Sequence, residues 1–303
     1  MLKPCVLSFI VVAMYTFPAS AQDITLVNFL NDSLSGSLKT NFVTGTFKAT
    51  QIVNMPTVES PPKKTLQFLI MHRFGELSDG AYQFFGLDNA EIRFGLDYGF
   101  SKRLSVGIGR SSFEKTLDAN FKFKLIRQQN AGMPMSVSLY ELVTYTTFPQ
   151  QKEKPFLTAQ FRTAYTSQLL IARKFSRNLS LQFAPSFFHF NMVPTPKDKN
   201  DVFAAVLGGR MKIAKRMSID AEGSYLPRGQ VNSVKAFNSL SCALTMETGG
   251  HVFQFVFTNS RAMTAPLYLT KTLGSWQKGN IYFGFNISRS FNWRTKADID
   301  RRR

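Results

Sequence analysis

Few side chains in this chain could make or break bonds. There are three histidines, His72, His189 and His251, and two cysteines, Cys5 and Cys242. The histidines are too widely spaced for an HxxxH ligand pair, and there is no CxxCH haem site. Ser186 and His189 lie close in sequence, but no GxSxG elbow accompanies them, and a Ser–His pair is defined by geometry rather than by spacing. These residues predict structural histidines, no catalytic residue, no metal site and no cofactor. The charged residues suggest something else. Glu91, Arg93, Asp97, Asp118, Lys122, Lys124, Arg162, Asp220 and Glu222 fall in segments where polar and apolar residues take turns. Such residues suit a polar lumen, where they must be hydrated or paired. Their mixed signs argue against strong ion selectivity, and an ion-paired closed interior fits them as well as an open pore does.

Strict period-two alternation is the strand signal. In AEIRFGLDYGF, Ile92, Phe94, Leu96, Tyr98 and Phe100 share one face. In KTLDANFKFKLI, Leu117, Ala119, Phe121, Phe123 and Leu125 do the same. GGHVFQFVFTNS places Phe253, Phe255 and Phe257 together, and an all-aromatic face of this kind suits lipid. Many runs exceed the usual globular strand of about 5–6 residues and approach the 9–11 residues of a transmembrane strand. Short turns fall near 101–103, 130–132, 176–178, 215–216 and 249–250. Longer links fall near 76–89, 148–156, 193–200, 228–236 and 260–278, and the 112–115 link is a short exception. This asymmetry matches outer-membrane barrels, whose short turns are periplasmic.

Strand starts near residues 63, 90, 103, 116, 134, 157, 178, 200, 216, 237, 250 and 279 predict an all-β, antiparallel up-and-down transmembrane β-barrel of about twelve strands, or fourteen if 262–272 also crosses. The barrel proper is 63–293. Residues 22–62 read as an extra strand or a plug, the weak run 41–54 included, and 294–303 is a basic tail. A soluble β-sandwich also alternates, but strand length, strand number and loop asymmetry favour the membrane barrel.

The N-terminus combines Lys3, an apolar core from Val6 to Phe17, Pro18 and Ala19-Ser20-Ala21, which reads as a signal peptide cleaved after Ala21. Cleavage leaves Cys242 alone, so the mature monomer forms no internal disulfide. The net charge of +18 falls by one with Lys3. An exported basic chain points to lipid phosphates or anionic solutes rather than nucleic acid. Its cations gather at turns: Lys102, Arg103, Arg173, Lys174, Arg177, Lys215 and Arg216 form an expected periplasmic rim, and Arg301 to Arg303 end the tail.

HVFQFVFTNS, QLLIARKFSRNLSLQFAPS, LGSWQKGNIYFGFNISRSF and TFKATQIVN resemble segments of an uncharacterised family of predicted outer-membrane β-barrels from Bacteroidetes-type bacteria. The resemblance covers nearly all of the mature chain. It implies a barrel in the outer membrane and no assigned activity. The expected function is a channel or transporter for a small, anion-leaning solute. The alternatives are a non-conducting scaffold for an envelope protein complex and, third, an outer-membrane lipid hydrolase. The expected partners are outer-membrane lipids, an unidentified solute and an envelope protein.

Overall fold

The computed structural model describes residues 42–147 and 158–292. The signal segment, residues 22–41, the loop 148–157, Trp293 and the basic tail lie outside them. Twelve antiparallel strands form one closed barrel in which each strand pairs with its sequence neighbours. They are β1 (Thr65–Glu76), β2 (Ala90–Gly99), β3 (Leu104–Ser111), β4 (Thr116–Ile126), β5 (Ser136–Thr146), β6 (Thr163–Lys174), β7 (Leu179–Phe190), β8 (Asp201–Ala214), β9 (Met217–Tyr225), β10 (Leu240–Thr248), β11 (His251–Thr258) and β12 (Tyr282–Asn292). Closure pairs β1 with β12, from Thr65↔Asn292 to Glu76↔Tyr282, and leaves no sheet edge for lipid to meet. An 11-residue strand is about 36 Å long. Tilted by ~45°, it covers roughly 25 Å of height, the thickness of a barrel's apolar band.

The alternation sorts the two faces as the sequence implies. Phe94, Leu96, Phe121, Phe203, Leu207, Phe255 and Phe257 are exposed outward, while their alternate neighbours are buried. Outer rings also stack along the surface, as His72 does on Phe285 with centroids 4.9 Å apart. The turns at 100–103, 175–178, 215–216 and 249–250, the 127–135 link and the start of β1 share one end of the barrel. The opposite end carries the longer links, with short 3-10 turns at Leu77–Asp79 and Ala81–Gly86.

Two segments outside the twelve-strand count, 41–54, read as an extra strand or a plug, and 262–272, read as a conditional further crossing, add no strand to the wall. Residues 262–272 do not cross. Ala265–Thr270 forms a six-residue helix, α1, with every residue buried inside the barrel. Pro266 suits its first turn, and Lys271 leaves helical geometry at φ −125°. Residues 50–57 form a hairpin in the bore rather than a strand of the wall. The Ile52 N–H donates to the Met55 carbonyl at 2.8 Å, and the Thr57 N–H to the Thr50 carbonyl at 2.9 Å. The hairpin and α1 explain how the wide interior is filled. About eight strands close tightly enough for wall side chains to fill the inside, and twelve leave a wider bore. Here Phe47, Ile52, Val53, Met55 and Val58 enter that bore. With Leu267, Tyr268 and Leu269 they form one apolar cluster with the wall residues Leu142, Leu170, Val202 and Val206.

Candidate functional site

The hairpin is held by polar side chains of the wall. Glu222 on β9, 3% exposed, accepts the backbone N–H groups of Val53 (3.1 Å), Asn54 (2.8 Å) and Met55 (2.9 Å) at the hairpin tip. Three converging donors compensate a carboxylate taken out of water. Beside it, the fully buried Arg73 on β1 donates to Asn54 Oδ1 and to Asn286 Oδ1, each at 2.9 Å. Asn286 Nδ2 donates to the Val53 carbonyl at 2.9 Å, and Gln254 Nε2 to the Ile52 carbonyl at 2.6 Å. Gln182 on β7 holds the returning arm twice, accepting the Val58 N–H at 2.9 Å and donating to the Pro56 carbonyl at 2.7 Å. Gly208 on β8 faces the tip, where a Cβ would sit 2.8 Å from Met55 Cε and 2.9 Å from Ile52 Cδ1.

Most of the charges expected in the lumen are bonded to one another, to neighbouring wall residues or to this filling. Arg93 on β2 reaches across β3 to Asp118 on β4, with Nε–Oδ2 2.9 Å and Nη2–Oδ1 2.6 Å. Gly109 makes this possible, because a Cβ there would lie 2.5 Å from Arg93 Nη2 and 2.7 Å from both Asp118 oxygens. Asp97 lies across Gly107 from Asn120, whose Nδ2 stands 3.5 Å from Asp97 Oδ1. Lys122 Nζ donates to the Glu59 carbonyl at 2.7 Å, and Lys124 Nζ lies 3.4 Å from Glu59 Oε2. Asp220 accepts from Thr245 Oγ1 at 2.5 Å and has Arg210 Nε at 3.9 Å. Arg210 also bridges Glu247. Glu91 bonds Ser112 and has Arg261 Nη2 at 3.3 Å. Arg162 is not on a strand: it precedes β6 in the link at the long-loop end.

Ser186 and His189 do not meet. Ser186 is buried inside and accepts from Gln168 Nε2 at 2.7 Å. His189, in the opposite strand phase, is half-buried and has Nδ1 2.7 Å from Asp201 Oδ1. Among the described residues there is no cluster of three or more His, Cys, Asp or Glu that could hold a metal ion. Lys102, Arg103, Arg173, Lys174, Arg177, Lys215 and Arg216 all lie at the short-turn end. Arg73, Gln182, Gln254 and Asn286 were missed by the reading from charges, although Arg73 alternates in phase with Gln67, Leu69 and Met71 and so was legible as inward.

At the long-loop end lies a cavity of about 650 Å³. Phe113, Phe161, Phe190, Met192, Leu267 and Leu273 supply much of its wall, with Arg162 also on the lining. Lys271 Nζ, which follows α1, bridges both Glu114 oxygens at 2.7 and 2.8 Å and ties the β11–β12 link to the β3–β4 link. The buried Asp198 does the same for two other links. It accepts the Asn232 N–H at 2.6 Å, the Ser233 N–H at 2.9 Å, and the Thr195 hydroxyl and N–H at 2.7 and 3.0 Å. Burial alone would raise its pKa, but these donors outweigh burial and hold the carboxyl well below the usual carboxylate range. A carboxylate with a depressed native pKa stabilises the fold above its unfolded pKa of about 3.9. That stabilisation is lost as pH falls from there through the lower native value. The Asn232 and Ser233 amide NMR signals are therefore expected to stay constant from neutral pH to about pH 5 and to shift only in stronger acid. Asp198→Asn should abolish that acid transition; an identical transition in the variant would assign it elsewhere.

No curated protein matches the chain. Among solved structures, a NanC porin is similar over 75% of this chain and 98% of its own, at 8% identity and a TM-score of 0.47. The COG4313 outer membrane channel from Pseudomonas putida F1 is similar over 77% and 97%, at 12% identity and 0.46. LpxR from Salmonella typhimurium is similar over 76% and 100%, at 10% identity and 0.34. The family model described as "Membrane bound beta barrel domain (DUF5777)" matches residues 47–291, from the bore-filling segment to the end of β12. The chain therefore belongs to this family of membrane-bound β-barrels.

Proposed function

We propose that this protein is an outer-membrane barrel, closed at rest, that binds a small, largely apolar solute at its external mouth and admits it when the hairpin and α1 move. The observation that carries this reading is the cavity of about 650 Å³ above α1. Its size falls in the ~300–1,000 Å³ range of small-molecule sites, and its mainly apolar wall with a few charged groups at the rim matches their usual chemistry. The export-type N-terminus, the twelve strands and the family's membrane-bound character support the outer membrane. The bore is occupied by chain segments that are not part of the wall, and such segments can move without breaking strand pairing. The expectation of a simple anion pore loses its support, because the inward charges are bound up in the closed interior. The filled bore favours a second reading, a non-conducting scaffold for an envelope complex.

The test is binding of N-phenyl-1-naphthylamine, an uncharged fluorophore, to the refolded barrel in lipid nanodiscs. Ala164 lines the cavity, and Ala164→Trp would fill part of it. Wild type should show a saturable component above the lipid background, weakened at least tenfold in the variant. Equal binding by both proteins would remove the cavity as a solute site.

A further inference from the structure

A second recess, of about 580 Å³, opens at the short-turn end, remote from the apolar cavity. Among the described residues, five of the ten that line it are cationic, Lys63, Lys64, Lys102, Lys124 and Arg127, and none is acidic. They come from three places: the chain leaving the hairpin, the β2–β3 turn, and the end of β4 with the link that follows it. Glu59, paired to Lys124 at 3.4 Å, offsets one of these charges. Arg127 is fixed by its guanidinium lying 4.0 Å over the Phe42 ring.

The backbone under the recess is held rigidly. Pro61 and Pro62 pass so close to Gly99 that a Cβ on Gly99 would lie 2.2 Å from the Pro62 carbonyl oxygen and 2.4 Å from that of Pro61. The Lys64 N–H donates to the Gly99 carbonyl at 2.8 Å, and the Thr65 N–H to the Pro62 carbonyl at 3.1 Å. This turn places Lys64 at φ 60°, in the left-handed region that favours glycine. The turn brings Lys63 and Lys64 to the recess lined also by Lys102, Lys124 and Arg127. The like charges of Lys63, Lys102 and Arg127 are relieved when a polyvalent anion lies between them.

We propose that this recess is a binding site for a polyvalent oxyanion, a phosphate or diphosphate group presented to the inner side of the barrel's periplasmic mouth. Lys124 alternates in phase with the inward Lys122, so the site faces the mouth rather than the lipid wall. Lysine ammonium groups bind phosphate oxygens as point charges and Arg127 adds a fork of N–H donors.

The test uses the refolded full barrel in phosphatidylcholine nanodiscs, titrated with inorganic pyrophosphate by calorimetry. Saturable binding is expected, at least tenfold weaker in Lys63→Ala/Lys102→Ala. Lys215→Ala/Arg216→Ala removes two cations from the β8–β9 turn and should bind as wild type does. A second arm counts phosphatidylglycerol retained by native mass spectrometry from mixed nanodiscs. If pyrophosphate fails to bind but the anionic lipid is retained, and is lost in Lys63→Ala/Lys102→Ala alone, the phosphate belongs to a lipid headgroup. Retention of neither probe, or equal weakening by both double variants, overturns the site in favour of diffuse rim charge. Heat-modifiable gel migration checks that each variant is folded.

Discussion

Glu222→Ala is expected to free the hairpin tip and convert a silent barrel into one that conducts. The Glu222 carboxylate receives three backbone N–H groups from Val53, Asn54 and Met55. A hydrogen bond to a charged group contributes about 1.5–3 kcal/mol, and each buried donor left without a partner costs about 1–3 kcal/mol. Together the loss is on the order of 5 kcal/mol at one turn. Gln182 would still hold Pro56 and Val58, while the tip would keep its single bonds from Gln254, Asn286 and Arg73. Amide exchange at 53–55 should accelerate at least ~100-fold, and planar-bilayer recordings should show steps absent from wild type. A barrel lacking residues 46–58 gives the reference from which the hairpin is absent and α1 remains. Unchanged exchange at the tip would show that Glu222 is no latch. Faster exchange with continued silence, in both the variant and the deletion, would favour the scaffold reading.

Asp118→Ala should be among the most destabilising single changes in the barrel wall. Arg93 and Asp118 form a bidentate pair across Gly109, at 6% and 4% exposure. Removing the carboxylate leaves a guanidinium buried without its counter-charge, which costs about 3–5 kcal/mol. Arg93→Met/Asp118→Val removes both charges and should recover most of that loss, because a buried ion pair and an apolar replacement of similar volume differ little in stability. Urea titration followed by heat-modifiable gel migration measures both. A single variant within about 1 kcal/mol of wild type, or a double variant no better than the single, would show that the pair carries little of the wall's stability.

The wall was legible because lipid demands it. A strand that must present Phe253, Phe255 and Phe257 to one environment and Gln254 to another advertises its phase in every residue. Turn lengths then ordered the two ends. Alternation separates two faces, but it does not say what covers the inner one. The 50–57 hairpin was readable only as a weak strand or plug, since its apolar residues meet the wall by tertiary contact. One signal was present in β8. In VFAAVLGG, Val202, Ala204 and Val206 face inward while Phe203 and Leu207 face out. A strand apolar on both faces needs an apolar partner inside, here Ile52 and Met55 near Gly208. Residues 262–272 left the strand count open between twelve and fourteen for a related reason: a short apolar run fits a buried helix as well as a strand. The inward charges were found from phase, while their partners across neighbouring strands depended on register, which the sequence does not display.

The hairpin precedes β1 in the chain, yet its polar holders Gln182, Glu222, Gln254 and Asn286 belong to β7, β9, β11 and β12. Arg73 and Gln67 of β1 are its early partners, and the rest of its side-chain holders lie on strands made late. A wall that has not yet received β11 and β12 cannot seat it. Full seating of the hairpin and closure of β12 onto β1 therefore draw on the same late strands.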